Sequence, residues 1–401
     1  MITILDKQDC CGCSACIQVC PKQCITMLED EEGFSYPLVN QYNCIDCHLC
    51  EKVCPVLHLG KPRKPLNVYA AKNRDEKIRL QSSSGGVFTV LAEAVINAGG
   101  VVFGAKFDEE WKVVHGYTET KNGIADFRGS KYVQSCMGDN FSKVKYFLDN
   151  GRKVLFSGTP CQVAGLKLFL RKPYENLLTV DFICHGVPSP KVWRMYLNEV
   201  IMNQSVKSVS FGSESKKNIS VVSITFRNKC LGWKNFSCVF TFSVSDDKGE
   251  KKIISSSEVF SKNAYMKGFL ENLYLRPACH HCPAKCLSSG SDITIADFWG
   301  MNKVLCDKDD DLGYSVLMVN SINTSLKLIA ELDTTEIGYE DILRYNSPIE
   351  KSADPDINRN YFFSNLEKKS LSLLIPHALY RRRLLKLIYR IRRKINLLLS
   401  Q

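Results

Sequence analysis

The chain of 401 residues, 45% hydrophobic and 24% charged, is too apolar to be disordered and too long for a small disulfide-stapled fold. No apolar run reaches the roughly 18 residues of a spanning helix and MITILDKQDC is too polar for a signal peptide, so two or three cytoplasmic domains are expected. Net charge is +11, but eight basic and no acidic residues lie between Leu371 and the end and account for all but +3 of it; the outlier is cysteine, at 19 residues, which in such a chain points to metal rather than disulfides.

Residues 1–60 hold ten of the cysteines. Cys10, Cys13, Cys16 and Cys20, followed by Pro21, form C-x2-C-x2-C-x3-C-P, and Cys44, Cys47, Cys50 and Cys54, followed by Pro55, repeat it. In this pattern three thiolates on a tight loop cap one cubane, while the fourth reaches the other cluster. Cys10, Cys13, Cys16 and Cys54 are therefore assigned to one [4Fe–4S] cluster, and Cys44, Cys47, Cys50 and Cys20 to a second. Zinc motifs pair two C-x2-C elements and do not need the trailing Cys-Pro. Cys11 and Cys24 are off-pattern and read as bystanders. The segment, 1–60, resembles a bacterial two-cluster ferredoxin.

Between the copies, Ile25–Leu28 and Ser35–Val39 read as strands around the turn Asp30–Gly33, and His58–Pro65 as a linker. Strands at Val68–Ala71, Val101–Ala105, Lys153–Phe156 and Leu178–Ile183 then alternate with helices at Val87–Asn97, Met137–Asn150 and Cys161–Leu170. This alternation indicates an α/β domain over 66–200. Alternating β-branched residues over Val206–Val259 read as an antiparallel β section opening a second part, 201–367, which also carries a strand at Asp292–Ala296. The fold class expected is α+β: a ferredoxin-like module, an α/β domain with an antiparallel section, and a C-terminal amphipathic helix.

A second cysteine set comprises Cys161 in GTPCQVAGL, Cys184 in FICHGVPS, and Cys279 and Cys282 in RPACHHCPAKC. The first two follow predicted strands, where open α/β sheets place their sites. Three readings stand side by side: a third cubane, ordinary packing of free cysteines, or zinc held by Cys279, Cys282, Cys286 and His280 or His281.

The phrases SSSGGVFTVL, RGSKYVQS, GTPCQVAGL, DFICHGVPSP, RPACHHC and SDITIADFWG resemble the beta-subunit family of coenzyme F420 hydrogenase/dehydrogenase, from about residue 66 to 305. That resemblance implies an iron–sulfur flavoprotein with FAD beside a [4Fe–4S] cluster. It makes Cys161, Cys184, Cys279 and Cys282 the ligands of that third cluster. Its two-electron partner would be coenzyme F420 or, in a related bacterial enzyme, a sugar or cell-envelope precursor.

Several segments suit FAD. Ser83, Ser84, Gly85 and Gly86 open a helix, where backbone N–H groups and the helix dipole favour phosphate, although such runs also simply cap helices. Ser130, Lys131 and Tyr132, after Arg128 and Gly129, suit a phosphate or a flavin edge. Gly158, Thr159 and Pro160 form the turn that delivers Cys161, and Asp297, with Phe298 and Trp299, is expected to line the same pocket. No G-x-G-x-x-G motif is present. His185, next to Cys184, is the candidate proton donor.

The tail, 371–401, places Leu384, Ile388, Ile391, Ile395 and Leu398 at helical spacing, with arginines largely off that stripe. A basic amphipathic helix of this kind binds an anionic membrane surface, with each basic residue contributing about 1 kcal/mol. Packing on the protein's own body or on a partner helix are the rivals. No nucleic-acid module accompanies the charge. The expectation is thus an oxidoreductase passing electrons between ferredoxin-type clusters and FAD, served by a redox partner protein or reduced ferredoxin and acting on a small molecule, either cytoplasmic or peripheral at the inner membrane face. The alternative is a non-catalytic electron-transfer subunit of a separate enzyme.

Overall fold

The computed structural model describes residues 1–209, 218–245, 251–322, 329–382 and 384. The chain forms two compact units, and neither is a single stretch of sequence. The first comprises Met1–Pro190, Thr225–Ser237 and Arg276–Ala353, and the second Lys191–Ile224, Cys238–Leu275 and Asp354–Gln401.

The first unit begins with the duplicated module. Its short helices α1 (Ala15–Gln18) and α2 (Leu49–Lys52) are each entered through a left-handed residue, Ser14 (φ 63°) and His48 (φ 57°). Strands β1 (Ile25–Glu29) and β2 (Ser35–Val39) pair antiparallel, Ile25 against Val39. Asp30 closes their turn by accepting from the N–H groups of Glu32 and Phe34. The linker is held down, because Arg63 Nε donates to the Leu287 carbonyl at 2.7 Å and its backbone N–H to Cys286 O at 3.0 Å.

An eight-stranded sheet follows. Its strands are β3 (Asn67–Asn73), β4 (Val101–Phe107), β5 (Val113–Thr118), β6 (Val154–Ser157), β7 (Leu177–Phe182), β11 (Ile293–Asp297), β12 (Ser315–Val319) and β13 (Leu332–Glu336), in the order β13-β3-β12-β11-β7-β6-β4-β5. Four consecutive strands, β11, β7, β6 and β4, run parallel to one another, while β12, β3 and β13 on one side and β5 on the other pair antiparallel. Runs such as Val101-Val102-Phe103 and Val154-Leu155-Phe156 are buried on both faces, as central parallel strands require. On one face Val101, Phe103 and Phe156 pack with helix residues Phe141, Val163 and Leu166 and with Cys11, Cys13, Ala15 and Val53 of the cysteine module. On the other, Val102, Leu155 and Val180 meet Val87, Leu91 and Val95. The helices involved are Val87–Asn97, Asn140–Asp149 and Pro160–Leu170.

The second unit corrects one expectation. A helix, Pro190–Val209, occupies the start of the segment read as β, and strands β8 (Asn218–Asn228), β9 (Ser237–Ser245) and β10 (Lys251–Val259) form a three-stranded sheet, β10-β9-β8. The unit's core is aromatic, with Trp193 and Tyr196 against Tyr265 at 5.4 and 5.2 Å and Tyr274 against Phe362 at 5.5 Å.

Residues 371–382 are helical and bury Leu371, Leu374, Ile375 and Ala378. Two of the tail's cations are already engaged: Arg382 with Glu271 and Asp356, and Arg381 over the Tyr361 ring. Leu384 is exposed; Ile388, Ile391, Ile395 and Leu398 lie outside the described residues. Among the described residues no helix is long and apolar enough to cross a membrane.

Candidate functional site

Cys10, Cys13, Cys16 and Cys54 line one small cavity, together with Cys11, Ile2, Ile4 and Met27. Cys20, Cys44, Cys47 and Cys50 line another with Cys24, Ile25 and Val39. Each cavity thus draws three thiols from one copy of the motif and the fourth from the other. Backbone N–H groups point at the sulfurs, Ile2 N at Cys50 Sγ (3.3 Å) and Asp46 N at Cys44 Sγ (3.4 Å). Burial, with Cys10, Cys54 and Cys50 close by, pushes the Cys16 thiol up to about 12, so the bare thiolates would repel one another and call for a cationic partner. Soft thiolates, N–H···S donors and apolar walls are a donor set that suits an iron–sulfur cluster. Among the described residues no three or more His, Cys, Asp or Glu side chains gather round a single ion-sized point.

The off-pattern cysteines lie beside these sets. Cys24 Sγ is 3.4 Å from Cys20 Sγ. Cys11 packs in one cluster with Cys13 and Cys161, and both thiols act on its own.

The second cysteine set is assembled from three places. Thr159 and Gln162 form a capping box at the start of Pro160–Leu170, and Thr159 Oγ1 is 3.2 Å from Cys161 Sγ. Cys184 follows β7, while Cys279 and Cys282 lie in and just after the turn Pro277–His281. Burial raises the Cys184 thiol, and Cys279, Cys161 and Cys282 all act on it. Burial likewise pushes Cys279 up to about 12, with Cys161 and Cys282 adding to it. Two cations flank this set. Lys285 Nζ donates to Cys184 O at 2.9 Å, and the guanidinium of Arg276 faces Cys279. Val187 N donates to Cys279 Sγ at 3.4 Å. Cys286 instead holds a turn, with φ of 55° and its N–H on Ile349 O, and His280 donates from Nδ1 to Ala353 O at 2.7 Å. His185 is half-buried beside Cys184.

Strands β6, β7 and β11 are parallel neighbours, so Cys161, Cys184 and the sequence Asp297-Phe298-Trp299 all follow carboxyl ends on one edge of the sheet. Asp297 pairs there with Arg227, Nη1 to Oδ2 at 2.6 Å, and the same nitrogen donates to Tyr132 OH at 3.2 Å. The guanidinium lies against Phe236, Trp299 and Trp233, and the two indoles stack at 4.6 Å. Trp233 is buried and its Nε1 donates to Ser83 O, whereas Trp299 is 37% exposed.

Ser83 and Ser130 meet, Ser83 Oγ accepting from the Ser130 backbone at 2.6 Å and from its hydroxyl at 2.9 Å. Ser84 Oγ donates to Tyr314 O and Gly85 N to Ser315 Oγ. A side chain at Gly85 would meet Ala71 O at 2.3 Å, so this glycine makes room for β3. Gly86, at φ +84°, caps the following helix. Lys131 Nζ donates to the carbonyls of Asp126, Arg128 and Gly129, and buried Lys229 to those of Arg79, Ser84 and Leu312. Burial brings both lysines down to about 7, while three carbonyl acceptors on each hold the ammonium form.

Sequence reasoning missed Arg227, Lys229 and Trp233, which lie in a stretch read only for strand alternation, and it treated Arg276 as spacing within a motif. The cation–aromatic run FRNKCLGW was the available signal.

Residues 151–337 match the family model for the C-terminal part of the coenzyme F420 hydrogenase/dehydrogenase beta chain. Residues 68–140 match the model for the N-terminal part of the same beta chain, and residues 9–57 match a 4Fe-4S dicluster domain. No curated protein matches. Among solved structures, a chain of the F420-reducing [NiFe] hydrogenase complex from Methanosarcina barkeri is similar over 77% of this chain and 94% of that one, at 17% identity and a TM-score of 0.45.

Proposed function

Because the chain belongs to the beta-subunit family of coenzyme F420 hydrogenase/dehydrogenase and carries a 4Fe-4S dicluster domain, we propose that it is a flavin-dependent iron–sulfur oxidoreductase acting on an organic two-electron substrate. The observation that carries this reading is the shared sheet edge: Cys161, Cys184 and Asp297, the last paired with Arg227, lie at the ends of adjacent parallel strands. Bound there, iron–sulfur clusters supply single electrons and FAD the conversion between one- and two-electron transfer.

The chain's own residues then have these roles. Cys10, Cys13, Cys16 and Cys54 hold one cluster, Cys44, Cys47, Cys50 and Cys20 a second, and Cys161, Cys184, Cys279 and Cys282 a third. Ser83, Ser84, Ser130 and Lys131 fix the two loops that meet beside Tyr132 and Arg227. Tyr132, Arg227, Asp297 and the exposed face of Trp299 offer a charged and aromatic wall to an isoalloxazine ring, with Gly85, Gly86, Gly158, Thr159 and Pro160 shaping the turns around it. His185 is the proton donor of this reading. Coenzyme F420 is the substrate the family name favours, and a redox protein docking on the cysteine module is the electron partner.

Iron, acid-labile sulfide and released flavin per chain test the proposal on anaerobically purified protein. About twelve irons, four per cubane, with one FAD are expected. About eight irons, with no flavin retained after incubation with FAD, would overturn it in favour of an electron carrier that serves a partner enzyme.

A further inference from the structure

Three arginines of the first unit are almost wholly buried: Arg79, Arg227 and Arg276. Two have carboxylate partners, Asp310 for Arg79 and Asp297 for Arg227. Arg276 differs. Its Nε donates to Cys10 O at 2.6 Å, Nη1 to Gln134 Oε1 at 3.0 Å, and Nη2 to Ser35 O at 3.0 Å and to Cys10 Sγ at 3.5 Å. Tyr36 and Phe34 cover its faces at 4.4 and 5.5 Å. Among the described residues no carboxylate pairs with it; the ionisable groups that face it include Cys10, Tyr36, Cys11, Cys279 and Cys161.

A guanidinium cannot shed its proton, and burying it without a counter-charge is costly. The anion it is placed to meet is a thiolate cage. Each [4Fe–4S] cluster with four cysteine thiolates is a buried anion that becomes more negative on reduction, and a fixed cation beside it favours the reduced state.

The duplication supplies the internal comparison. Cys44 is the counterpart of Cys10, 34 residues on, yet its sulfur accepts from the backbone N–H of Asp46, and no guanidinium among the described residues donates to it. The two halves of the module are alike in sequence and unlike in electrostatics.

We propose that Arg276 is a positioning residue that serves as the counter-cation of the cluster held by Cys10, Cys13, Cys16 and Cys54, setting its reduction potential above the value the same thiolates would give alone while leaving the Cys44 cluster untouched. The proposal rests on the ligand sets given under the proposed function. It also accounts for the glycine at position 12, where a Cβ would meet Gln134 Nε2 at 2.6 Å and Arg276 Nη1 at 2.7 Å.

The test compares wild type, R276Q, R276K and C10S as full-length, anaerobically reconstituted chains, by iron and sulfide content and by redox titration followed by electron paramagnetic resonance. In R276Q the signal that C10S removes or alters is expected to shift furthest to lower potential, because Arg276 donates directly to the Cys10 sulfur; the cluster of Cys161 and Cys279, which Arg276 also faces, shifts less, and the Cys44 signal stays where it is. R276K keeps the wild-type potential more nearly. Unchanged potentials in an iron-replete R276Q, or equal shifts of both ferredoxin-type signals, would overturn the proposal. Should R276Q lose iron, R276K decides: retention of iron and potential supports the charge, and loss from R276K as well overturns it. A C10S chain with wild-type spectra points instead to failure of the ligand assignment, independently of Arg276.

Discussion

Arg227 and Asp297, 70 residues apart in the chain, meet at 2.6 Å against the stacked rings of Trp233 and Trp299. Arg227 is almost wholly buried, whereas Asp297 keeps partial access to water. Removing the carboxylate therefore strands a charge that solvent cannot reach. Asp297→Ala is expected to cost about 3–5 kcal/mol of unfolding free energy, and the double variant R227M/D297A less than the sum of its two single changes. Chemical denaturation of the four proteins checks both statements, and flavin content should fall in each variant.

Cys54 lines the cavity of the first motif and Cys20 that of the second. Each of C20S and C54S should therefore lose the cluster whose other three ligands lie in the opposite copy. Iron should drop by about four per chain in either, and C54S should spare the signal that C44S removes. Loss of the Cys44 signal in C54S would show that each copy keeps its own fourth ligand.

Gly165, in the helix Pro160–Leu170, packs tightly against the cysteine module: a Cβ would sit 3.0 Å from Cys13 Sγ and 3.2 Å from Cys13 Cβ, so Cys13 would have to give way. Gly165→Ala should displace the Cys13 loop, costing about 1–3 kcal/mol, and should slow cluster reconstitution. Gly99→Ala, where a Cβ meets nothing within 4 Å but φ is +71°, is the control for backbone strain alone. It should leave iron content unchanged.

His115 is buried on β5, with Nε2 donating to Ser157 O at 3.1 Å and its ring stacked on Phe156. Burial lowers its pKa from 6.5 to about 4, so the unfolded chain takes up this proton first as pH falls. Stability contributed by the neutral ring is intact above about pH 6.5 and is lost progressively towards pH 4, by up to about 3 kcal/mol. The difference in unfolding free energy between wild type and H115Q, followed from pH 7 to pH 5, isolates this contribution. A pH-independent difference would sink it.

The 4Fe-4S dicluster domain was legible because metal-binding loops are local: spacings of three and four residues set the repeated motif, and the trailing Cys-Pro distinguishes it. The alternation of strands and helices from Val68 to Ile183 was equally plain, since a buried parallel strand must be apolar on both faces. The helix Pro190–Val209 was hidden by the absence of a clean apolar stripe. Charge pairing was not legible at all. Arg276 reaches Cys10 across 266 residues and Arg227 reaches Asp297 across 70, and only the folded chain brings them together. The sequence by itself determined the dicluster domain and its two cysteine motifs, because residue type and spacing are properties of contiguous chain. Only the tertiary structure decided which elements bring Cys161, Cys184, Cys279 and Cys282 near one another and which buried cation stands beside Cys10, because electrostatic partners are chosen by proximity in space.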